Sequence, residues 1–425
     1  DTWHISSVEK KRTERSPLAP FITSTMQQEA SRRFRFSAKQ TMMLAQQLYE
    51  GIEVSEGSVG LITYMRTDST NLSQDSQRSA KEFLTESFGP DYALTQPRTF
   101  SKKSKGAQEA HEAIRPSDVR RTPESLKDHL EPRQWKLYDL IWRRFVASQM
   151  PNAIFDVTTI DITGTKGAFR ASGNMIVFPG FLKVWPAKIG EVDLPTVTEK
   201  EPATLREATP EQHFTEPPAR YSDASLIKIL EKFGIGRPST YAPTISTIVD
   251  RGYVTRDQDK RFIPSEVGTT VNDMLVENFP HIVDIDFTAK MEQDLDLVAE
   301  GELEWVPLIQ KFYEPFAKNL EEKYESVERK NMIEETNEVC DKCGKPMIIR
   351  YGRFGRFMAC SGFPDCKNTK ALPPKSLGIP CPECAQGELV ERRTKQRRLF
   401  YGCSRYPDCK YATWKKPGET KEEEE

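Results

Sequence analysis

The chain has 425 residues, 37% of them hydrophobic and 29% charged, and its mean hydropathy of −0.62 is typical of a polar protein with room for several domains. It contains no run of 18 apolar residues and no recognisable signal peptide, so we expect no membrane partner. The net charge of −2 hides an asymmetry, because residues 340–416 carry 17 Lys and Arg against 6 Asp and Glu. That basic end suits a polyanionic partner.

The first residues combine a charged stretch with the start of a helical pattern. Val8 to Pro17 predicts an exposed connector, and the chain begins at Asp1 in what has the character of mid-domain sequence, so we expect a fragment of a longer protein. Residues from Pro20 onward predict a helix behind a threonine or serine cap. Ser37 has capping-box spacing for a second helix that ends at Gly51.

An apolar run from Val59 to Tyr64 predicts a short buried strand. If the strand persists to Arg66, its period of two places Tyr64 and Arg66 on the same face. A free phenol has a pKa of about 10 and attacks weakly at neutral pH, but an adjacent guanidinium favours the phenolate and neutralises a phosphate under attack. Tyr64 could then be a nucleophile. The alternative is a core tyrosine beside a surface arginine.

The pattern of the region after this segment predicts helices, and the region contains a histidine that could take part in proton transfer. Ser73 predicts the start of a helix that runs to about Phe88. His111 could exchange a proton near neutral pH, although a structural role is the alternative. Apolar residues at helical spacing from Trp135 to Phe145 predict a helix that packs into a core.

From about Pro151 the pattern changes to strands. Ile154 to Thr163 and Phe169 to Val177 are β-rich and bounded by glycine turns, and Phe178 to Trp185 predicts a further strand. A polar, proline-containing stretch follows over residues 186–210. These features predict a separate β-rich domain.

Next comes an order of helix, tight turn, helix and hairpin that is typical of winged-helix-like domains. Ser222 caps the first helix, and the hairpin surrounds residues 257–260. Arg237, Ser239 and Thr240 precede the second helix, where free amides, a hydroxyl and a guanidinium can bind a phosphate. An ordinary helix cap with a surface arginine is the alternative.

The cysteines form an internal repeat of about 40 residues. All eight lie in the last fifth of the chain, as Cys340, Cys343, Cys360 and Cys366 and then Cys381, Cys384, Cys403 and Cys409. Two pairs of thiolates in each unit suit tetrahedral zinc, so we expect two zinc sites with four cysteine ligands each. A disulfide framework would be odd in a chain without a secretory signal, and a reducing, cytoplasmic compartment fits better.

Arginines alternate with aromatic residues between the cysteine pairs. They include Arg353, Phe354 and Arg356 in the first unit and Arg398 and Tyr401 in the second. This pattern suits single-stranded nucleic acid, through phosphate contacts and base stacking. Hairpin cores with solvated arginines are the alternative. The chain ends in an acidic tail at Glu422 to Glu425.

Several of these strings resemble one family. Gly60-Leu61-Ile62-Thr63-Tyr64-Met65-Arg66-Thr67-Asp68-Ser69 is similar to the active-site signature of type IA DNA topoisomerases. Residues 20–49, 108–118, 226–254 and 286–292 continue the resemblance in family order, and the cysteine units resemble the zinc ribbons of bacterial topoisomerase I. Met65 resembles that bacterial branch, whereas the topoisomerase III branch usually has proline there.

The resemblance implies a multidomain α+β fold with a toroidal core. It assigns residues 1–23 to part of an arch or hinge, 24–150 to a catalytic tyrosine domain, 151–222 to a β-rich arch, 223–330 to a helical, winged-helix-like DNA-binding domain, 338–372 and 379–416 to zinc ribbons, and 417–425 to a disordered tail. It also implies a monomer.

The implied reaction is ATP-independent relaxation of negatively supercoiled DNA. Tyr64 would attack a phosphodiester of single-stranded DNA and hold the 5′-phosphate while another strand passes. Arg66 would stabilise the phosphate charge, and His111 would assist positioning or proton relay. Arg237, Ser239 and Thr240 would hold the strand, with Arg115 as a further phosphate or structural residue.

One part of the family pattern is missing. The family's N-terminal TOPRIM domain carries a glutamate and an Asp-x-Asp-x-Asp string for magnesium, and this sequence has no such string. The full-length enzyme would need magnesium, with ligands outside this chain and the TOPRIM domain as a partner; Asp284 with Asp286 and Asp294 with Asp296 are weak substitutes. The chain alone would then bind DNA without relaxing it. The rival hypothesis is a non-catalytic, single-stranded DNA-binding zinc-ribbon protein.

Overall fold

The computed structural model describes residues 2–100, 111–187, 190–327, 334–352, 355–372, 374, 376–393 and 399–414. Contacts divide the chain into two compact units. The first unit comprises residues 1–219 with 223–243, and the second comprises residues 220–222 with 244–425. Within the described ranges, no helix is long and apolar enough to cross a membrane.

Helices and strands are mixed along the whole chain, which confirms the α+β class. The helices are α1 (Thr23–Phe34), α2 (Ala38–Glu50), α3 (Gln74–Phe88), α4 (Pro132–Ser148), α5 (Asp223–Phe233), α6 (Tyr241–Asp250), α7 (Glu266–Asn278), α8 (Pro280–Val283), α9 (Ile285–Ala299) and α10 (Trp305–Ser326). The strands are β1 (Trp3–Arg15), β2 (Ile52–Val54), β3 (Gly57–Val59), β4 (Ala153–Thr163), β5 (Ala168–Phe178), β6 (Pro202–Ala203), β7 (Val254–Arg256), β8 (Phe262–Pro264), β9 (Glu334–Val339), β10 (Pro346–Gly352), β11 (Gly355–Cys360), β12 (Thr369–Ala371), β13 (Ser376–Pro380), β14 (Glu388–Arg393), β15 (Leu399–Cys403) and β16 (Ala412–Thr413).

The first unit contains a four-stranded sheet in the order β5-β4-β1-β6. The prediction of an exposed connector before Pro17 is wrong, because β1 is a 13-residue strand that pairs antiparallel with β4. Its charged side chains are accommodated because most of the strand is exposed or half-buried, and Arg12 forms an ion pair with its cross-strand partner Asp156 at 2.8 Å. The partner strand lies about 150 residues away, so local sequence does not reveal the pairing.

One hydrophobic core joins α1, α2, α3 and α4. The predicted apolar face of α4 is buried, and its indole and phenol groups donate to backbone carbonyls, as Trp142 does to Val119 at 2.8 Å. Ser37 caps α2 by accepting the Gln40 N–H at 3.2 Å, as predicted. The expected threonine or serine cap of α1 is wrong: Ile22 is the N-cap residue, without a side-chain cap.

The predicted strand from Phe178 to Trp185 is also wrong, because the chain turns at Gly180–Lys183 as a 3-10 helix. Gly180 has a φ of +49°, and a Cβ there would lie 2.3 Å from the Asn152 carbonyl oxygen, so this turn requires glycine. The turn directs Trp185 into the core. The guanidinium groups of Arg33 and Arg144 both lie near its ring, at 4.0 and 5.1 Å from the ring centroid.

Arg144, a residue of α4, also contacts a second aromatic ring and a backbone carbonyl. It is 7% exposed, lies over the Phe21 ring at 4.7 Å, and donates from Nε to the Ala19 carbonyl at 2.6 Å. Burial lowers the pKa of Arg144 to about 10, so it stays charged at neutral pH. Two cations on one indole thereby connect α1, α4 and the segment after β5.

We expect Trp185→Ala to lower the free energy of unfolding of the first unit by about 3 kcal/mol or more, because it removes a buried ring and both cation–π contacts. Phe169→Ala is the matched control, since that ring is 51% exposed and should cost less than about 1 kcal/mol. Urea denaturation followed by circular dichroism gives both values. Equal losses from the two variants would contradict a stabilising role for the contacts of Trp185.

The second unit contains most of α6, the predicted hairpin of β7 with β8, and α7 to α10. Two separate four-stranded sheets follow, in the orders β12-β11-β10-β9 and β13-β14-β15-β16. Each sheet carries one set of four cysteines, so the repeat in sequence is a repeat in structure.

Candidate active site and metal centres

The segment around Tyr64 is not the strand that its sequence predicts. Strand β3 ends at Val59, and within the next residues only Ile62 forms a bridge, to Pro116. The chain instead crosses the end of α2, where the Leu61 N–H donates to the Leu48 carbonyl at 2.7 Å. A Cβ on Gly60 would lie 2.7 Å from the Tyr49 carbonyl oxygen, so this close approach requires glycine.

Burial alternates along this segment. Tyr64 and Arg66 are exposed, whereas Met65 and Thr67 are buried. The backbone bends at Thr63, Met65 and Arg66, so the exposure of the phenol and the guanidinium does not come from the regular period of a β-strand.

Two threonine hydroxyls fix the backbone on both sides of Tyr64. Thr23 Oγ1, at the start of α1, donates to the Met65 carbonyl at 2.7 Å and accepts the Thr67 N–H at 2.9 Å. Thr63 Oγ1 donates to the Ala113 carbonyl at 2.7 Å and accepts the Arg115 N–H at 3.0 Å. Sequence reasoning missed both residues, because their partners are 42 to 52 positions away.

Tyr64 lies between two other aromatic side chains. Its ring centroid is 5.4 Å from that of Tyr49, in an edge arrangement, and 5.5 Å from that of His111. The ring is 36% exposed. Tyr138 is a buried tyrosine, whose hydroxyl donates to the Arg121 carbonyl at 2.6 Å. Tyr64 instead combines a partly exposed side chain with a backbone that is hydrogen-bonded on both sides.

The two arginines nearest this segment differ in what they can bind. Among the described residues, the exposed Arg66 side chain has no ion pair or hydrogen-bond partner. Arg115 is engaged: its Nε donates to Glu112 at 2.7 Å and its Nη1 donates to the Pro116 carbonyl at 3.0 Å. The contacts of Arg115 are those of the structural alternative that the sequence left open, and the role of Arg66 stays a prediction.

Arg237 and Thr240 form a tight turn before α6. The Arg237 N–H donates to Thr240 Oγ1 at 2.8 Å, and the Arg237 guanidinium donates to the Gly236 carbonyl at 2.9 Å. Ser239 and Thr240 are exposed. The turn places two hydroxyls and a guanidinium just before a helix, but the Thr240 hydroxyl and the Arg237 guanidinium are both engaged within the turn. Their binding of a phosphate stays a prediction.

The eight cysteines form two clusters in which all four sulfur atoms lie within 4.8 Å of one another. Separations of 3.2 Å for Cys343 with Cys360 and 3.7 Å for Cys381 with Cys409 exclude disulfides in this structure. Backbone N–H groups point at sulfur, from Gly362 to Cys360 at 3.3 Å and from Arg405 to Cys403 at 3.4 Å.

The donor set therefore fits a tetrahedral zinc ion, whose charge would offset the repulsion between packed thiolates. A backbone hydrogen bond from Gln386 is the largest of the causes that hold the pKa of Cys384 at about 6. A hydrogen bond from Tyr411 lowers the pKa of Cys409, yet burial and neighbouring thiols raise it to about 12. The cluster without a cation thus cannot ionise fully at neutral pH.

The ribbons place their aromatic residues differently from the sequence prediction. Arg353, Phe354 and Arg398 lie outside the described residues, and Arg356 is known only by its backbone position in β11. Tyr401 is 4% exposed, and this burial argues against the predicted stacking on a base.

Two other aromatic residues are accessible instead. Phe363 and Tyr406 are exposed, and each ring carries an arginine: Arg350 at 5.7 Å from the first and Arg392 at 5.2 Å from the second. Phe363 and Tyr406 occupy equivalent positions in the two repeats, each directly before Pro-Asp-Cys. This shared position could have identified them from the sequence.

Comparisons with known proteins agree with this geometry. The family model described as DNA topoisomerase matches residues 1–310, and the model described as topoisomerase DNA binding C4 zinc finger matches residues 337–375 and 378–418. The chain belongs to the bacterial type IA topoisomerase I family. The family resemblance read from the signature around Tyr64 is thereby confirmed.

A solved structure extends the match over both units. Full-length topoisomerase I from Thermotoga maritima is similar to this chain with 33% sequence identity and a TM-score of 0.70. The match covers 94% of this chain and 62% of that protein, so this chain spans less than two thirds of the relative's length.

We expect zinc analysis by mass spectrometry to find two zinc ions per chain, one for each cluster of four sulfurs. Cys343→Ser and Cys384→Ser should each reduce this value to one, and Ser361→Ala, beside a ligand but not one itself, should leave it at two. A chelator should remove the β-structure of the ribbons, because metal binding supplies folding energy to such small domains. A zinc-free, folded wild type would contradict this assignment.

Proposed function

We propose that this chain carries the nucleophile of a topoisomerase that relaxes negatively supercoiled DNA without ATP. The observation that carries the proposal is Tyr64, which is 36% exposed on a backbone held by Thr23 and Thr63. Arg66, two residues later, is also exposed, and the ring centroid of His111 lies 5.5 Å from that of Tyr64.

In the proposed cleavage step, the Tyr64 oxygen attacks the phosphorus of a single-stranded phosphodiester. The bond between phosphorus and the 3′ oxygen breaks, which leaves a 5′-phosphotyrosine and a free 3′-hydroxyl. The phenolic proton leaves and the 3′ oxygen gains a proton, with His111 as positioning or relay group. After a second strand passes, the 3′-hydroxyl attacks the phosphotyrosine and restores the original bond.

Arg66 supplies the electrostatic part of this proposal. A guanidinium offers paired N–H donors to phosphate oxygens, and the charge on those oxygens changes most in the transition state. Because Arg66 has no competing partner among the described residues, binding a phosphate does not require breaking an existing ion pair.

Strand binding is assigned to two further places. Arg237, Ser239 and Thr240 would contact the backbone of the strand held for cleavage. The basic ribbons would bind single-stranded DNA, with Phe363 and Tyr406 as exposed faces for base stacking. This replaces Tyr401 as the stacking residue of the second ribbon.

Magnesium is the remaining requirement that the family implies. In the described part of the chain, the groups of three or more metal-ligating side chains close enough to share an ion are the two cysteine clusters. Asp284 and Asp286 lie at the start of α9, where Asp284 caps the helix by accepting the Phe287 N–H at 3.0 Å. We therefore propose that magnesium binds to a TOPRIM domain that acts together with this chain.

Tyr64→Phe should abolish a covalent adduct between protein and DNA. The assay incubates the chain and a supplied TOPRIM domain with magnesium and a 3′-labelled single-stranded oligonucleotide, followed by a denaturing gel. A 5′-phosphotyrosine retains the label on the protein. Tyr49→Phe is the matched control, since its ring contacts Tyr64 but its hydroxyl has no proposed role.

A labelled adduct with wild type and with Tyr49→Phe, but not with Tyr64→Phe, would establish the nucleophile. An adduct in every variant would assign the chemistry to another residue. Tight, salt-sensitive binding without any adduct would favour the rival function, a non-catalytic single-stranded DNA-binding protein.

Arg66→Ala should lower the cleavage rate at saturating DNA by about 100-fold, because it removes a charge aimed at the transition state. Arg66→Lys should recover part of the rate, since an ammonium keeps the charge but lacks the paired donors. Arg78→Ala on α3 removes an exposed arginine paired with Asp75 and should leave the rate unchanged. A similar rate for Arg66→Ala and wild type would contradict the assignment.

A further inference from the structure

Glu231 on α5 joins two parts of the proposed site that are remote in sequence. Its Oε1 accepts a hydrogen bond from Ser24 Oγ at 2.8 Å, and its Oε2 accepts one from Gln28 Nε2 at 3.1 Å. Both donors belong to α1, more than 200 residues earlier in the chain. Both bonds are partly buried, where a charge-assisted hydrogen bond is stronger than at an exposed position.

On α1, the contact with Glu231 lies next to the residue that holds the segment of Tyr64, the proposed nucleophile. Ser24 follows Thr23, whose hydroxyl fixes the backbone of Met65 and Thr67 beside Tyr64. The Thr23 N–H also donates to the Thr67 carbonyl, at 2.9 Å. A displacement of the first turn of α1 would therefore move the segment that carries Tyr64.

On α5, Glu231 lies close to the turn that we assign to strand binding. The Glu231 carbonyl accepts the Gly234 N–H at 3.1 Å, and the Ile235 N–H donates to the Leu230 carbonyl at 2.9 Å. The Arg237 guanidinium then lies on the carbonyls of Gly236 and Gly234, at 2.9 and 3.4 Å. The turn that presents Arg237 is thus built on the last residues of α5.

A second acidic residue fixes the other end of α5. Asp223 is buried, and its Oδ1 accepts the N–H of Ala38, the first residue of α2, at 3.1 Å. A carboxylate at the start of a helix is stabilised by the helix dipole. With Asp223 at its first residue and Glu231 near its last, α5 is held against α1 and α2 at two points.

From these contacts we infer that Glu231 is a positioning residue, which sets the separation between the Tyr64 nucleophile and the Arg237 turn that holds the strand. The inference rests on the proposed function and adds to it. Glu231 does not touch the reacting atoms. Its effect is geometric, because a phosphate held by Arg237 reaches Tyr64 in line only when α5 is fixed against α1.

The test compares Glu231→Ala, which removes both acceptors, with Glu231→Gln, which keeps one carboxamide oxygen for Ser24. Glu82→Gln on α3 is the control, since it removes an exposed negative charge elsewhere in the first unit. Each variant is assayed with the TOPRIM domain, magnesium and the 3′-labelled oligonucleotide. Hydrogen exchange by mass spectrometry is measured on the chain itself.

We expect Glu231→Ala to lower the cleavage rate at saturating DNA by about 10- to 100-fold, with the dissociation constant for single-stranded DNA changed less than about threefold. Glu231→Gln should lie between Glu231→Ala and wild type, and Glu82→Gln should match wild type. Exchange should increase in Glu231→Ala over residues 63–69 and over residues 234–241. Parallel changes in both segments are the signature of a lost connection, which a general loss of stability would not confine to them.

Wild-type exchange in both segments of Glu231→Ala would overturn the inference, whatever the cleavage assay gives. An unchanged cleavage rate at saturating DNA would overturn it as well. If wild type itself forms no adduct, the proposed function fails, and the exchange measurement still decides whether Glu231 couples the two segments.

Discussion

The segment that carries Tyr64 depends on hydrogen bonds made by the hydroxyl of Thr23. This hydroxyl satisfies one carbonyl and one N–H on either side of Arg66, in a part of the chain where no β-ladder is present to pair them. A buried backbone group left without a partner costs about 1–3 kcal/mol, so the irregular path of this segment is tolerated only because side chains replace the ladder. The position of Tyr64 therefore depends on the contact of its segment with α1 and not on pairing within a sheet.

In this segment, buried residues hold the backbone in place while other residues are exposed to solvent. Met65 and Leu61 are fully buried and anchor the backbone, whereas Tyr64 and Arg66 in the same segment are exposed. Chemistry carried by irregular segments on a packed scaffold is common, because a loop can expose adjacent side chains that a covered strand would bury. The covalent mechanism that we propose needs both properties, since its nucleophile must stay fixed while a flexible strand enters, is cut and is resealed.

The parts that the sequence predicted are those with local causes. Ser37 and Gly51 delimit α2, apolar spacing places α4 in the core, and cysteine spacing gives both metal clusters. Features that depend on distant partners were missed. The sequence of β1 predicts a charged connector, because the strand that pairs with it, β4, lies about 150 residues away. The sequence around Trp185 predicts the end of a strand, because the two arginines that contact its ring come from α1 and α4. The burial of Tyr401 likewise depends on the packing of its ribbon and not on its neighbours in sequence.

Charge is distributed unevenly along the chain. Outside residues 340–416 the sequence carries a net charge of −13, so long-range attraction of a polyanion cannot come from that part as a whole. The ribbon region carries +11 with neutral thiols, and about +7 when two zinc ions each bind four thiolates. If the chain binds DNA as proposed, affinity that depends on counterion release resides mainly in the ribbons, whereas the site around Tyr64 needs only a few cations to orient one phosphate.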